Sequence, residues 1–145
     1  MTARSDIVLF LRLEPDIPKL THQNGIKTRV VNGHAQVYKT PALSNLEAKY
    51  IAFLRPHAPK EPWDCPIHLS TIWYFAMPKN NRLAEAIVWK ITKPDTDNLV
   101  KTLKDCMARA GFFKDDALVC LESVAKMWAP NDAPHGVEIR MKELE

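Results

Sequence analysis

The stretch Lys93-Pro94-Asp95-Thr96-Asp97-Asn98-Leu99-Val100-Lys101 sets two carboxylates two residues apart and an ammonium four residues after the second. Asp97 stands where a helix N-cap or first-turn residue belongs, and Lys101 projects from the same helical face one turn on. Asp95, one alternation earlier in extended chain, leans toward the same point. Further along, Gly111-Phe112-Phe113 turns the chain into Lys114-Asp115-Asp116, just ahead of a strand expected to run back beside the helix. A third carboxylate, Asp116, is expected to join the first two there. Three carboxylates around one point raise one another's pKa values unless a cation offsets them. With oxygen donors and neither His nor Cys in the set, the matching cation is Mg²⁺, or Mn²⁺ in its place, rather than zinc. Such an ion bridges a phosphate, lowers the pKa of a bound water and stabilises a leaving oxygen. Lys101 adds a fixed positive charge beside the phosphorus or holds the attacking water. The chemistry indicated is phosphodiester hydrolysis.

Each residue also has a plainer structural use. Asp97 alone is a favoured helix cap, Asp95 a turn former, Lys101 a solvated helix residue, and Asp115-Asp116 a turn before a strand. An EF-hand is excluded, because Leu99 and Val100 occupy positions that need a ligand and a sharp-turn glycine. The four glycines, at 25, 33, 111 and 136, form neither a Walker A loop nor a G-x-G-x-x-G turn. Three cysteines, Cys65, Cys106 and Cys120, lack a C-x-x-C pair and argue against a disulfide framework or a zinc finger.

The elements that must position these residues follow from periodicity. Ile7, Leu9, Leu11 and Leu13 alternate as a strand closed by Pro15 and Pro18. From Ile17 to Leu46 no acid occurs, while Lys19, Lys27, Arg29 and Lys39 lie among Asn24-Gly25 and Asn32-Gly33, which reads as basic turns with a mobile hairpin. Ser44 to Glu47 fits a capping box opening a helix that carries Leu46, Tyr50, Phe53 and Leu54 and ends near Pro56. After a proline-rich loop to Pro66, Ile67 to Phe75 forms a strand, half-buried at first and fully buried toward its end. Lys79 to Glu85 suggests a short helical turn, and Ile87 to Thr92 a further strand or extended approach. Leu99, Leu103, Cys106 or Met107, and Ala110 form one stripe of the clearest helix, with Gly111 as its stop. Ala117 to Met127 and Val137 to Met141 read as the last two strands, joined by a long hairpin connection over Ala129 to Gly136. Strands before, between and after two main helices imply an α/β (α+β) sandwich with a mixed sheet, one small domain over residues 1–145.

Length and composition agree with a soluble globular chain: 145 residues, 46% hydrophobic and 26% charged. The net charge of +3 is a cancellation, because Met1 to Pro94 carries +6 and Asp95 to Glu145 carries −3. Nothing approaches the roughly 20 apolar residues of a membrane span, and no export signal is read, so a reducing cytoplasm is the expected compartment.

Asp95-x-Asp97-Asn98-Leu99-x-Lys101, a helix ending in Gly111-Phe112, and Asp115-Asp116 before an apolar strand together resemble the RusA family of Holliday junction resolvases, endodeoxyribonucleases of phages and prophages. The motif covers about 35 residues; the first 90 match only loosely, through strand order, the proline-containing turn and the basic segment. The resemblance implies a small α/β homodimer that binds branched DNA, a four-way junction, and makes paired nicks with Mg²⁺. It implies Asp95, Asp97 and Asp116 as catalytic, metal-binding carboxylates and Lys101 as the catalytic lysine, with Asp115 a neighbouring acid. A homodimer suits a junction with two strands to cut. Lys19, Lys27, Arg29 and Lys93 are then the expected phosphate contacts. Trp63, Trp73, Trp89 and Trp128 are expected in the core or the dimer interface. Two alternatives remain at this point: a non-enzymatic DNA-binding module of the same fold, and a metal-dependent phosphoesterase acting on another nucleic-acid substrate.

Overall fold

The computed structural model describes residues 4–14, 16–79 and 86–145. A five-stranded sheet runs in the order β1-β7-β4-β6-β5, with β1 (Ile7–Arg12), β4 (Ile67–Ala76), β5 (Val88–Trp89), β6 (Val119–Ala129) and β7 (Gly136–Glu143). The β4/β6 pair is parallel and every other pair antiparallel, which makes the sheet mixed, as expected. Two helices, α2 (Pro41–Leu54) and α3 (Thr96–Ala110), flank it in an α+β arrangement. Leu46, Tyr50 and Leu54 of α2 and Leu99, Leu103 and Met107 of α3 join one buried cluster with Leu69, Trp73, Phe75, Val137 and Ile139 of the sheet.

Residues 17–46 fold into a short helix, α1 (His22–Gly25), and a two-stranded hairpin, β2 (Ile26–Val31) with β3 (His34–Lys39). Asn32 and Gly33 at its tip have φ of 51° and 79°, the doubly positive turn that an Asn-Gly pair favours and that matches strand twist. Asn24-Gly25, by contrast, ends α1 instead of making a turn of that kind. The hairpin is anchored at its root, where Lys39 reaches Glu47 of α2.

Several boundaries differ from expectation for identifiable reasons. The helix α2 opens at Pro41, one turn before the Ser44 capping box. Proline at the first position is pre-set for a helix, and Thr40 Oγ1 already accepts from the Leu43 amide at 3.3 Å. The hairpin expected between the last two strands is also overturned, because β6 and β7 lie on opposite sides of β4. Their connection crosses the end of β4 and is tied down by His135, whose carbonyl accepts from Leu13 at 2.8 Å. A 3-10 turn, Asp116–Leu118, precedes β6, so that strand starts at Val119, two residues late. The strand β4 alternates buried and half-buried to its last residue instead of becoming fully buried, since the helices cover one face of the sheet. The short turn read over Lys79 to Glu85 falls mostly outside the described residues. Pairing over 87–92 is confined to Val88 and Trp89.

One glycine is required by contact. A Cβ on Gly136, at φ +147°, would stand 2.0 Å from the carbonyl oxygen of Leu11, at the end of the β1/β7 pairing where Gly136 faces Arg12.

Candidate active site

The apolar stripe of α3 buries Leu99, Val100, Leu103, Cys106, Met107 and Ala110, which leaves Asp97 and Lys101 on its exposed side. Gly111 in the left-handed conformation ends the helix, as read from the sequence. Asp95 is the N-cap residue, and its carbonyl accepts from Leu99 at 3.2 Å. Its carboxylate makes no capping bond and accepts instead from Lys93 Nζ at 2.8 Å. That ammonium holds the Asp95 carboxyl below the usual carboxylate range, and Lys126 acts in the same sense. Asp95, Asp97, Lys101 and Lys93 therefore cluster at one exposed helix end, whose free amides and dipole favour negative charge.

A cleft of about 210 Å³ adjoins this end, lined by Lys19, Thr21, Asn24, Lys93 and Pro94. Two of the four lysines and arginines expected to meet phosphate, Lys19 and Lys93, thus share one cleft beside the acids. Lys27 and Arg29 lie apart on the exposed β2 strand, where the Arg29 guanidinium stacks 4.7 Å from the Tyr38 ring centroid.

Asp116 is not brought to the other two acids within one chain. The strand after α3 does run back beside the helix, but Asp116 stands before that strand begins. It belongs to the far end, near the Val119/Ile67 pair, whereas the Asp95 end lies near Lys126, which pairs with Trp73. Seven residues of strand separate Val119 from Lys126, about 23 Å at roughly 3.3 Å per residue. The 15 residues of α3 span about 22 Å at 1.5 Å each, which agrees. At its own end, Asp115 accepts from the Ala117 amide at 2.8 Å, and this bond, with one shared with Asp116, holds the Asp115 carboxyl low. Asp116 is exposed beside it.

Among the described residues, the trio of possible ligand side chains whose donor atoms all lie within 4.8 Å of one another is Glu47, Asp105 and Cys106. Its chemistry does not suit a metal. Glu47 is buried and accepts from Lys39 at 3.0 Å and Arg109 at 3.2 Å, so cations already offset its charge. Burial pushes the Cys106 thiol up to about 12, away from the thiolate a metal would need. The exposed carboxylates at the two ends of α3 are the better donors for a hard divalent cation, being oxygen-only, solvent-accessible and, at Asp95 and Asp115, held ionised.

Two lysines of this region escaped the sequence reading. Lys126 of β6 donates to the carbonyl oxygens of Thr92 at 2.6 Å and Pro94 at 2.8 Å. Lys90, 3% exposed, sets its ammonium 3.9 Å from the Trp128 ring centroid and donates to Thr92 Oγ1 at 2.6 Å. Burial draws its pKa down to about 8. The signal for Lys126 was a lysine on the inward row of β6, between Val124 and Trp128. Of the tryptophans expected in the core or the dimer interface, Trp63 and Trp73 are buried, whereas Trp89 is 69% exposed beside exposed Ile87 and Ile91.

The chain that carries this site has counterparts among known proteins. The model of the endodeoxyribonuclease RusA family matches residues 17–142. The chain is 31% identical over 130 residues to the crossover junction endodeoxyribonuclease rusA of Lactococcus phage r1t, a match covering 88% of this chain and 92% of that protein. The family match takes in the helix end with Asp95, Asp97 and Lys101, Asp116 and most of the last strand, and on these two matches the chain belongs to the RusA family of endodeoxyribonucleases, enzymes that hydrolyse phosphodiester bonds within DNA.

Proposed function

We propose that this protein resolves four-way DNA junctions as a homodimer, making paired nicks in a reaction that depends on Mg²⁺, with Mn²⁺ able to substitute, in the cytoplasm. The observation that carries the reading is the exposed Asp95/Asp97/Lys101 cluster at the start of α3, opening beside a cleft walled by Lys19 and Lys93. The junction as substrate rests on the name of the phage relative.

The proposed ligands are Asp95, Asp97 and Asp116, where a bound divalent cation would supply positive charge to the phosphate and a water of lowered pKa. Lys93 keeps Asp95 ionised and ready as a donor in the free protein. Lys101, one turn after Asp97 and exposed, sets its ammonium against the charge that builds on the phosphate oxygens during attack by water. Lys19 and Lys93 hold the backbone beside the cut, and Lys27 and Arg29 on the hairpin contact phosphates further out.

The separation of Asp116 from the other acids gives the homodimer a catalytic purpose. Two chains related by a two-fold axis can set Asp116 of one against Asp95 and Asp97 of the other, which generates two equal sites. A junction needs two cuts, and such a pair supplies them.

The test is single-turnover cleavage of a synthetic four-way junction by Asp97→Asn, with gel-shift binding measured in parallel. Binding is expected to persist while cleavage disappears. Continued cutting by this variant with Mg²⁺ would refute the assignment. Equal cutting of junction, flap and linear duplex by the unaltered protein would refute the substrate.

A further inference from the structure

We propose that Lys126 is a positioning residue for this reaction, strapping the segment ahead of Asp95 to the sheet and so fixing the helix end that carries Asp95, Asp97 and Lys101. The inference rests on the endonuclease reading above for its kinetic consequence, and on the hydrogen bonds alone for its structural one.

After Trp89 the chain leaves the sheet, and its last backbone bond to β6 runs from the Lys90 amide to the Lys126 carbonyl at 3.1 Å. Beyond that point the carbonyls of Thr92 and Pro94 have no strand partner, and that of buried Pro94 needs a donor. The Lys126 ammonium serves both, at 2.6 and 2.8 Å. One residue therefore holds the departing segment twice, by its main chain at Lys90 and by its side chain at Thr92 and Pro94.

The position of Lys126 makes this use specific. Its register partner is Trp73, 1% exposed, and it lies between Val124 and Trp128 on the row of β6 that faces the helices. An ammonium there is costly unless its donors are satisfied, and among the described residues Lys126 forms no ion pair that would satisfy it otherwise. Within the segment, Lys90 rests its ammonium on the Trp128 ring of β6 and donates to Thr92 Oγ1 at 2.6 Å.

The consequence reaches the site through the chain itself. Pro94 precedes Asp95, and Asp95 is the N-cap whose carbonyl begins the hydrogen bonding of α3. Releasing the Pro94 carbonyl frees the Asp95 backbone and the first turn, which holds Asp97. Lys126 makes no hydrogen bond to the carboxylate of Asp95, whose partner is Lys93; beside the lesser pull of its charge on that carboxyl, its hold on the helix end is through the backbone.

The test compares Lys126→Met and Lys126→Arg in the full chain by four measurements: thermal midpoint, amide exchange over residues 92–99, junction affinity without divalent ion, and single-turnover cleavage. For Lys126→Met the expected result is amide exchange in this segment faster by about tenfold or more. Cleavage should slow by about ten- to a hundredfold, the size expected of a small misplacement, with junction affinity within about threefold. Lys126→Arg, which keeps the charge and donors, should restore much of the protection and the rate. Unchanged exchange would overturn the proposal. So would a loss confined to junction affinity with normal single-turnover cleavage, which would make Lys126 a phosphate contact. If Lys126→Met does not fold, Lys126→Gln, able to reach one carbonyl, should show an intermediate loss of protection, and full protection in it would equally overturn the strap. If the unaltered protein cuts no junction, the endonuclease reading fails, and the exchange measurements alone decide the strap.

Discussion

The two acidic regions of this molecule invert the relation between closeness and reactivity. Glu47, Asp105 and Cys106 come within 4.8 Å of one another in the interior, yet Lys39 and Arg109 meet the Glu47 carboxylate and the thiol stays protonated. Asp95, Asp97 and Asp116 are spread over the two ends of α3 and open to solvent, with Lys93 on Asp95 as their ion pair among the described residues. A buried charge has to be paired where it stands. An exposed carboxylate is kept ionised by water and remains available to a cation or a second chain. Convergence within one chain marks the structural cluster here, and accessibility marks the one proposed to be catalytic.

The sharpest way to break this contrast is to remove one acid from each region. Asp116→Asn is expected to lower single-turnover cleavage by about a thousandfold or more, with little change in unfolding free energy. Mixing Asp97→Asn chains with Asp116→Asn chains should then restore nicking, because a mixed dimer built across the two-fold axis contains one site with both substitutions and one intact site. No recovery on mixing would place all three acids of a site in one chain, against the separation described here. Glu47→Gln should do the opposite. It strands Lys39 and Arg109 without their shared carboxylate and should cost about 2 kcal/mol in denaturant unfolding, while the folded fraction cuts at the normal rate. A cleavage loss in Glu47→Gln beyond its loss of folded protein would put the buried cluster into the chemistry.

Much of the positioning scaffold was legible in the sequence because it is written in local periodicity. The stripe of α3, its Gly111 stop, the alternation of β4 and the Asn32-Gly33 hairpin tip each follow from a few neighbouring residues. What failed depended on pairing between distant segments. The crossing of β7 to the far side of β4 has no local mark, and neither does the distance between the ends of α3, since a strand running back beside the helix looks the same whether an acid sits at its start or its finish. The capping box at Ser44 was a genuine local signal that lost to a stronger one at Thr40-Pro41. Lys126 and Lys90 were passed over as lysines in strand-like sequence, although an inward lysine is a polar residue in need of a partner.

The same split between buried and exposed divides the lysines around the helix end, and Lys90 tests its interior side. Its folded pKa, about 8, lies below the usual 10.5, so the unfolded chain binds the proton more tightly. Stability relative to a neutral side chain should therefore rise with pH from about 8 toward 10.5, as the native state sheds a charge it holds at a cost. Compared with Lys90→Met, the unaltered protein should gain roughly 1 kcal/mol or more between pH 7 and pH 10 in urea unfolding. A gap between the two proteins that stays constant over that range would mean that the ammonium is not desolvated.

Lys93 and Lys19 test the exposed side, where the expected effect is smallest. Their charges stand in solvent at the mouth of the cleft, and on the proposed reading Lys93 would exchange its partner Asp95 for a phosphate without a desolvation cost of leaving the interior. Each phosphate contact contributes about 0.9 to the slope of log affinity against log salt on duplex DNA. Lys93→Ala and Lys19→Ala should each flatten that slope by about one unit and weaken junction binding a few-fold at moderate salt, with Tm nearly unchanged. The double variant should flatten it by about two, because two charges facing separate phosphates release their counterions independently. An unchanged slope in either single variant would mean that its ammonium remains with the protein when DNA binds, and for Lys93 that would leave Asp95, not phosphate, as its lasting partner.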